Sequence, residues 1–119
     1  MSPDGRFLVD NFSKPDVPPV ATLRDLNGRL IANLETASVD RLKATGWKPP
    51  TPVTVKSADG KWDLYGLMFA PTNVDASKKY PVINYIYPGP QGGGVGGRSC
   101  SASRSDHQAL AELGFVVVI

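Results

Sequence analysis

Two apolar runs near the C-terminal end constrain the fold more than any other feature of the sequence. Val82-Ile83-Asn84-Tyr85-Ile86-Tyr87 and Phe115-Val116-Val117-Val118-Ile119 are rich in β-branched and aromatic residues, as strands buried on both faces are. A glycine-rich stretch and one amphipathic segment separate them, too much chain for a tight hairpin. Strands at 81–87 and 115–119 joined by a helix are therefore expected to lie parallel, as a right-handed βαβ unit. The helix is expected at 105–113. Ser105 and Gln108 have capping-box spacing, Leu110 and Leu113 share a face, and Gly114 supplies the stop. A parallel sheet needs cover on both faces, and one helix covers only one. The expectation is thus a chain that continues past Ile119. The 115–119 strand should present an exposed edge, leaving the 119 residues alone poorly soluble or only partly folded.

Upstream, 53–57 and 62–69 predict a hairpin about Asp59-Gly60, followed by a polar loop at 72–79. In the first third, Pro3-Asp4-Gly5 is a turn, 6–12 is extended, and 20–26 joins 29–34 through Asn27-Gly28. That pair tolerates the positive φ angles of a type I′ turn. Three strands with a proline-rich connection at 15–19 cannot bury two faces, so they read as the end of a larger sheet assembly. A short helix follows, with Ser38 as N-cap, Val39 and Leu42 on one side and Gly46 as the stop. Trp47-Lys48-Pro49-Pro50 then breaks regular structure and marks a domain boundary.

Composition narrows the function classes. With 41% hydrophobic and 20% charged residues the chain suits a globular class. Thirteen Lys and Arg are scattered among eleven Asp and Glu, so no basic stripe forms and nucleic acid is excluded as a partner. One cysteine and one histidine give neither an internal disulfide nor a closed zinc site. The longest apolar runs are five or six residues, far short of a membrane span, and Ser2-Pro3-Asp4-Gly5 after Met1 is not a signal peptide. The compartment stays open.

The stretch 92–97 holds five glycines in six positions, and motif matches arise there by composition. Gly92, Gly97, Arg98 and Ser99 match a phosphate-binding loop except that Arg98 stands where lysine is required. Gly92, Gly94 and Gly97 satisfy G-x-G-x-x-G. In both motifs the helix should begin at once, yet 99–104 intervenes, so a surface loop is the reading. Gly97-Arg98-Ser99-Cys100-Ser101 lacks the second glycine of a nucleophile elbow, which leaves Ser99 a plain loop serine. His107 is read as a partly exposed residue of the first helical turn without catalytic duty, Cys100 as incidental, and Trp47 and Trp62 as packing residues. Tyr87 differs. It ends the strand that feeds the glycine loop, and ligands of open α/β sheets bind beyond the carboxyl ends of strands. Counting 53–57, 62–69 and 81–87 as strands one to three, Tyr87 enters the loop that in α/β-hydrolases supplies part of the oxyanion hole. An ordinary sheet-end tyrosine fits the pattern as well.

The segment Lys79-Tyr80-Pro81-Val82-Ile83-Asn84-Tyr85-Ile86-Tyr87-Pro88-Gly89-Pro90-Gln91 resembles the prolyl oligopeptidase superfamily of serine peptidases, most closely its dipeptidyl peptidase IV-like branch. Ser2-Pro3-Asp4-Gly5-Arg6 resembles a closing propeller-blade hairpin, and Gly46-Trp47-Lys48-Pro49-Pro50 the return into the hydrolase domain. The resemblance implies 1–36 as closing strands of a β-propeller, 37–52 as helix and linker, and 53–119 as the N-terminal portion of an α/β-hydrolase domain. It implies a peptide substrate, no cofactor, no metal, and Tyr87 as an oxyanion-hole donor. It also implies that nucleophile, acid and histidine lie beyond Ile119, so that His107 is not the catalytic histidine and the chain alone is inactive. Dipeptidyl, tripeptidyl and endopeptidase preferences all remain compatible, as does an oligomeric full-length protein. Two rivals stand beside this reading: an esterase or other acyl hydrolase sharing the hydrolase half, and a non-enzymatic binding module should the chain be complete.

Overall fold

The computed structural model describes residues 1–87, 89 and 98–119, which form two sheets. The first is antiparallel, ordered β1 (Phe7–Lys14), β2 (Val17–Asp25), β3 (Leu30–Thr36). The second is mixed and runs β4 (Thr51–Lys56), β5 (Asp63–Phe69), β7 (Val116–Val118), β6 (Val82–Asn84). The short helix α1 (Asp40–Lys43) precedes β4 in the chain, and α2 (His107–Glu112) connects β6 to β7.

One turn design is used twice. In Ser2-Pro3-Asp4-Gly5-Arg6-Phe7 and in Ser57-Ala58-Asp59-Gly60-Lys61-Trp62 the serine hydroxyl donates to the aspartate two residues on, at 2.6 Å in both. The same hydroxyl accepts the aromatic residue's amide at 3.0 Å in both. Glycine at φ +68° and +72° turns the chain where a side chain is strained. The Asn27-Gly28 turn also forms, though not as type I′. Gly28 has φ +81° but Asn27 is not in the positive region, and the Gly28 amide donates to the Asp25 carbonyl at 3.0 Å. These are the marks of a type I turn closed by a glycine bulge. The Asp25 carboxylate selects it by accepting the amides of Asn27 (2.9 Å) and Arg29 (3.0 Å). Pro18 and Pro19 lie inside β2 instead of in a connection. They are accommodated because the ladder to β1 shifts register between Phe12 and Lys14, where an absent N–H removes no rung.

Packing separates the two sheets. In the first only Thr22 is buried, while Val9, Phe12, Leu30, Ile31 and Leu34 are exposed. The second contains the core: Leu67, Phe69 and Val117 point to one face, Ala111 of α2 covers them, and Ile83, Leu110, Phe115 and Ile119 close the rim. The radius of gyration is 18.1 Å, against about 13.5 Å for one compact domain of this length, so the chain does not wrap around a single core. The segment before α2 is held on two sides: the Cys100 amide donates to Ser13 Oγ of β1, and the Ala102 carbonyl accepts Trp47 Nε1 from the segment before β4, both at 2.8 Å. Trp47 is buried as expected, but Trp62 is 68% exposed on its turn, outside the core.

The parallel pair forms, with Val82, Ile83 and Asn84 opposite Val116, Val117 and Val118. Three expectations about it fail. First, β7 is not an edge strand. β5 extends far enough to pair with β4 and also antiparallel with β7, and Leu67 and Ile119 exchange two 3.0 Å hydrogen bonds beyond that ladder. The edges are β4 and β6. Second, β6 is not buried on both faces. Only Ile83 faces α2, while Val82 is 65% exposed on the uncovered side. Third, the capping box does not form. Arg104 and Ser105 have φ +43° and +62°, so the chain turns left-handed there and the helix begins at His107, with Asp106 as N-cap. Leu113 falls on the C-cap and is 76% exposed, so His107 and Ala111, four apart, make the buried stripe with Leu110 beside them, and Leu113 drops out of it. At α1 the N-cap is Val39, and Ser38 one residue earlier accepts the Asp40 amide at 3.3 Å. Both glycine stops hold, at φ +85° for Gly46 and +98° for Gly114.

Candidate active site

The parallel pair brings the carboxyl ends of β6 and β7 side by side, at Asn84 and Val118. One more rung follows, the Tyr85 amide donating to the Val118 carbonyl at 2.8 Å. The chain then leaves the sheet, and Ile86 and Tyr87 are 63% and 67% exposed. Tyr87 therefore stands three residues past the end of β6, not on its last position. The strand stops early because beyond Tyr85 no described strand continues opposite it. The following Pro88 biases Tyr87 towards extended backbone, and Gly89 adopts φ +147°, a conformation left to glycine. A phenol offered to solvent beyond the ends of two parallel strands can donate a hydrogen bond to a ligand without first breaking one with the protein.

Behind this segment lies an aromatic stack, buried at Phe69 and His107 and closed by the half-exposed Tyr85. The Tyr85 ring meets the His107 ring edge-on, centroids 4.4 Å apart, and His107 meets Phe69 the same way at 5.3 Å. His107 is only 4% exposed, which corrects the expectation of a partly exposed residue: the late start of α2 turns it onto the sheet. Its Nδ1 is buried without a hydrogen-bond partner, 3.4 Å from the Asp106 carboxylate. Burial pushes the imidazole below its ordinary value, the Asp106 charge opposes that, and Arg104 adds to it. No hydrogen bond joins His107 to Ser99 among the described residues, and the Ser99 carbonyl accepts Arg104 Nη2 at 2.8 Å. The glycines of the three motif matches, Gly92, Gly94 and Gly97, lie outside the described residues.

The far end of α2 is pinned to the segment after β5. Glu112 Oε1 accepts the Thr72 hydroxyl (2.6 Å), the Thr72 amide (3.0 Å) and Gln108 Nε2 (2.7 Å). These donors, the Thr72 hydroxyl first, hold its carboxyl below the ordinary range. With His107 seated on Phe69 at its start, α2 is fixed at both ends beneath the strand termini.

No protein-family model matches the chain. Dipeptidyl peptidase 8 of mouse and of human is 36% identical over 73 residues, 61% of this chain and 8% of theirs. Dipeptidyl-peptidase 5 of Aspergillus fumigatus is 43% identical over 56 residues, 47% of this chain and 7% of its own. Among solved structures, a Bacteroides ovatus protein described as a dipeptidyl aminopeptidase IV superposes with a TM-score of 0.79 at 36% identity, covering 99% of this chain and 17% of that one. The chain is similar to dipeptidyl peptidase IV-like proteins of the prolyl oligopeptidase family.

Porphyromonas gingivalis dipeptidyl peptidase 4 shares the fold, with a TM-score of 0.72 at 22% identity over 95% of this chain. The chain spans less than a tenth of the length of the curated relatives. The likeness fits a sheet-rich chain, and it does not point to the aromatic stack at the strand ends. Sequence reasoning did not single out Tyr85, and it set His107 aside as a partly exposed residue. The available signal was the i, i+4 pair His107 and Ala111, which a capping box starting at Ser105 obscured.

Proposed function

We propose that this chain is part of a serine-type peptidase that cleaves peptides, of dipeptidyl or prolyl preference, through an acyl-enzyme. In this reading 1–36 are closing strands of a β-propeller, 37–52 the helix and linker, and 53–119 the N-terminal portion of an α/β-hydrolase domain whose nucleophile, acid and base follow Ile119. Tyr87 donates its hydroxyl to the oxyanion of the tetrahedral intermediate. The observation that carries the reading is the exposed Tyr87 phenol just beyond the carboxyl ends of the parallel pair, where ligands of such sheets bind. The mixed sheet with its β6-α2-β7 crossover supports the hydrolase half.

The chemistry sets what Tyr87 contributes. Negative charge on the substrate oxygen exists fully only in the transition state, so a preplaced donor accelerates acylation without tightening ground-state binding. Tyr87→Phe in the full-length protein keeps the ring and removes the donor. The expected result is a kcat lowered about 10²- to 10³-fold on a dipeptidyl substrate, with KM little changed. Wild-type kcat in that variant would end the assignment of Tyr87.

A further inference from the structure

Tyr87 is 67% exposed, so its own burial cannot set the direction of its phenol. Direction has to come from the residues that precede it. Only Ile86 separates it from Tyr85, and Pro88 limits the backbone freedom on its other side. Tyr85 is held at two points: its amide by the Val118 carbonyl at 2.8 Å, and its ring by the His107 ring at 4.4 Å. His107 is in turn 4% exposed and seated on Phe69, itself 2% exposed and paired in register with Val117. A continuous series of packed rings thus runs from the centre of the core to the residue two before Tyr87.

Resting on the oxyanion reading of Tyr87, we infer that His107 is a positioning residue for it: the imidazole between Phe69 and Tyr85 fixes the Tyr85 ring, and with it the segment that aims the Tyr87 phenol. His107 touches no reacting atom. It acts through packing, and misplacing a catalytic group by about 1 Å costs up to roughly 10²-fold in rate. A smaller side chain at 107 leaves the Tyr85 ring without its buried neighbour, and the ring then samples several positions. A flat aromatic ring of similar size keeps the stack.

The test is a kinetic cycle in the full-length protein. His107→Ala should lower kcat about 10- to 10²-fold with KM within about twofold, and His107→Phe should restore most of the loss. In a Tyr87→Phe background, His107→Ala should cost little more, because the donor it aims is gone. Should His107→Ala fail to fold, Tyr85→Leu breaks the same contact from its exposed side and enters the same cycle. Unchanged kcat in His107→Ala, no rescue by His107→Phe, or a full additional loss in the Tyr87→Phe background overturns the inference. If Tyr87→Phe lowers kcat and the His107 effect is additive, this inference alone falls. If Tyr87→Phe has no effect, the oxyanion reading falls and takes the inference with it.

Discussion

Phe69→Ala tests where the stability of this chain resides. Phe69 is 2% exposed, with Val117 beside it in the sheet and the His107 ring edge-on at 5.3 Å. Truncating a phenylalanine in such a place removes its transfer free energy and leaves a cavity, together about 3–5 kcal/mol. Phe12 is the natural control. It is 48% exposed in the first sheet, with Lys14 Nζ 5.6 Å from its ring, so roughly half of a 1.5–3 kcal/mol burial term and no enclosed cavity remain, about 1 kcal/mol. Hydrogen exchange of the 119-residue chain, read on peptides covering β5 with β7 and β1 with β2, separates the two. At about 1.4 kcal/mol per tenfold, Phe69→Ala should speed exchange in the second sheet by about 10²- to 10⁴-fold. Phe12→Ala should speed the first by no more than about tenfold. Equal effects, or slow exchange in β5 and β7 after Phe69→Ala, would refute the placement of the core.

The His107 imidazole is held neutral by burial, below its ordinary value of 6.5, so the stability it contributes is complete above pH 6.5 and lost as pH falls through its folded value. Thermal unfolding from pH 7.5 to 5 should show that loss, and His107→Phe should flatten it. A Cβ at Gly66 would stand 2.5 Å from the Ile119 carbonyl and 3.2 Å from Val53 Cγ2, so Gly66→Ala should force β5 and β7 apart at about 1–3 kcal/mol. Gly60→Ala meets nothing within 4 Å and carries only the strain of φ +72°; chemical denaturation of both variants ranks them. A fluorophosphonate probe should label no serine of the isolated 119-residue chain, and stoichiometric labelling of Ser99 would contradict the proposed division of labour.

What was legible in the sequence came from short-range chemistry. Gly46 and Gly114 end their helices because a left-handed residue is needed within one turn of the last helical amide, and glycine adopts it freely. The parallel pairing of 82–84 with 116–118 follows from two apolar runs too far apart for a hairpin. The failures are competitions that local rules do not resolve. Asn27-Gly28 suits a type I′ turn, but the Asp25 carboxylate, two residues upstream of the pair, satisfies two amides in a different turn. Ser105 and Gln108 are correctly spaced for a capping box, but positive φ at Arg104 and Ser105 delays the helix.

That delay links fold to candidate function. A stripe of Leu110 and Leu113 would centre the sheet-facing side of α2 away from the histidine. Starting at His107, the same residues present His107 and Ala111 to β5 and β7, and Leu113 goes to solvent. The imidazole then occupies the space beneath the end of β6, where Tyr85 closes over it and Tyr87 projects beyond. Burying a ring nitrogen without a partner costs about 1–3 kcal/mol, and phenylalanine would fill the same space without that cost. His107→Phe should therefore raise the stability of the second sheet at neutral pH while kcat stays near wild type. The ring's shape positions Tyr85, and the unpaired nitrogen contributes only the cost. A His107→Phe protein that is less stable than wild type at pH 7.5 would show that Nδ1 has a partner in the folded protein and that packing is not the whole of its role.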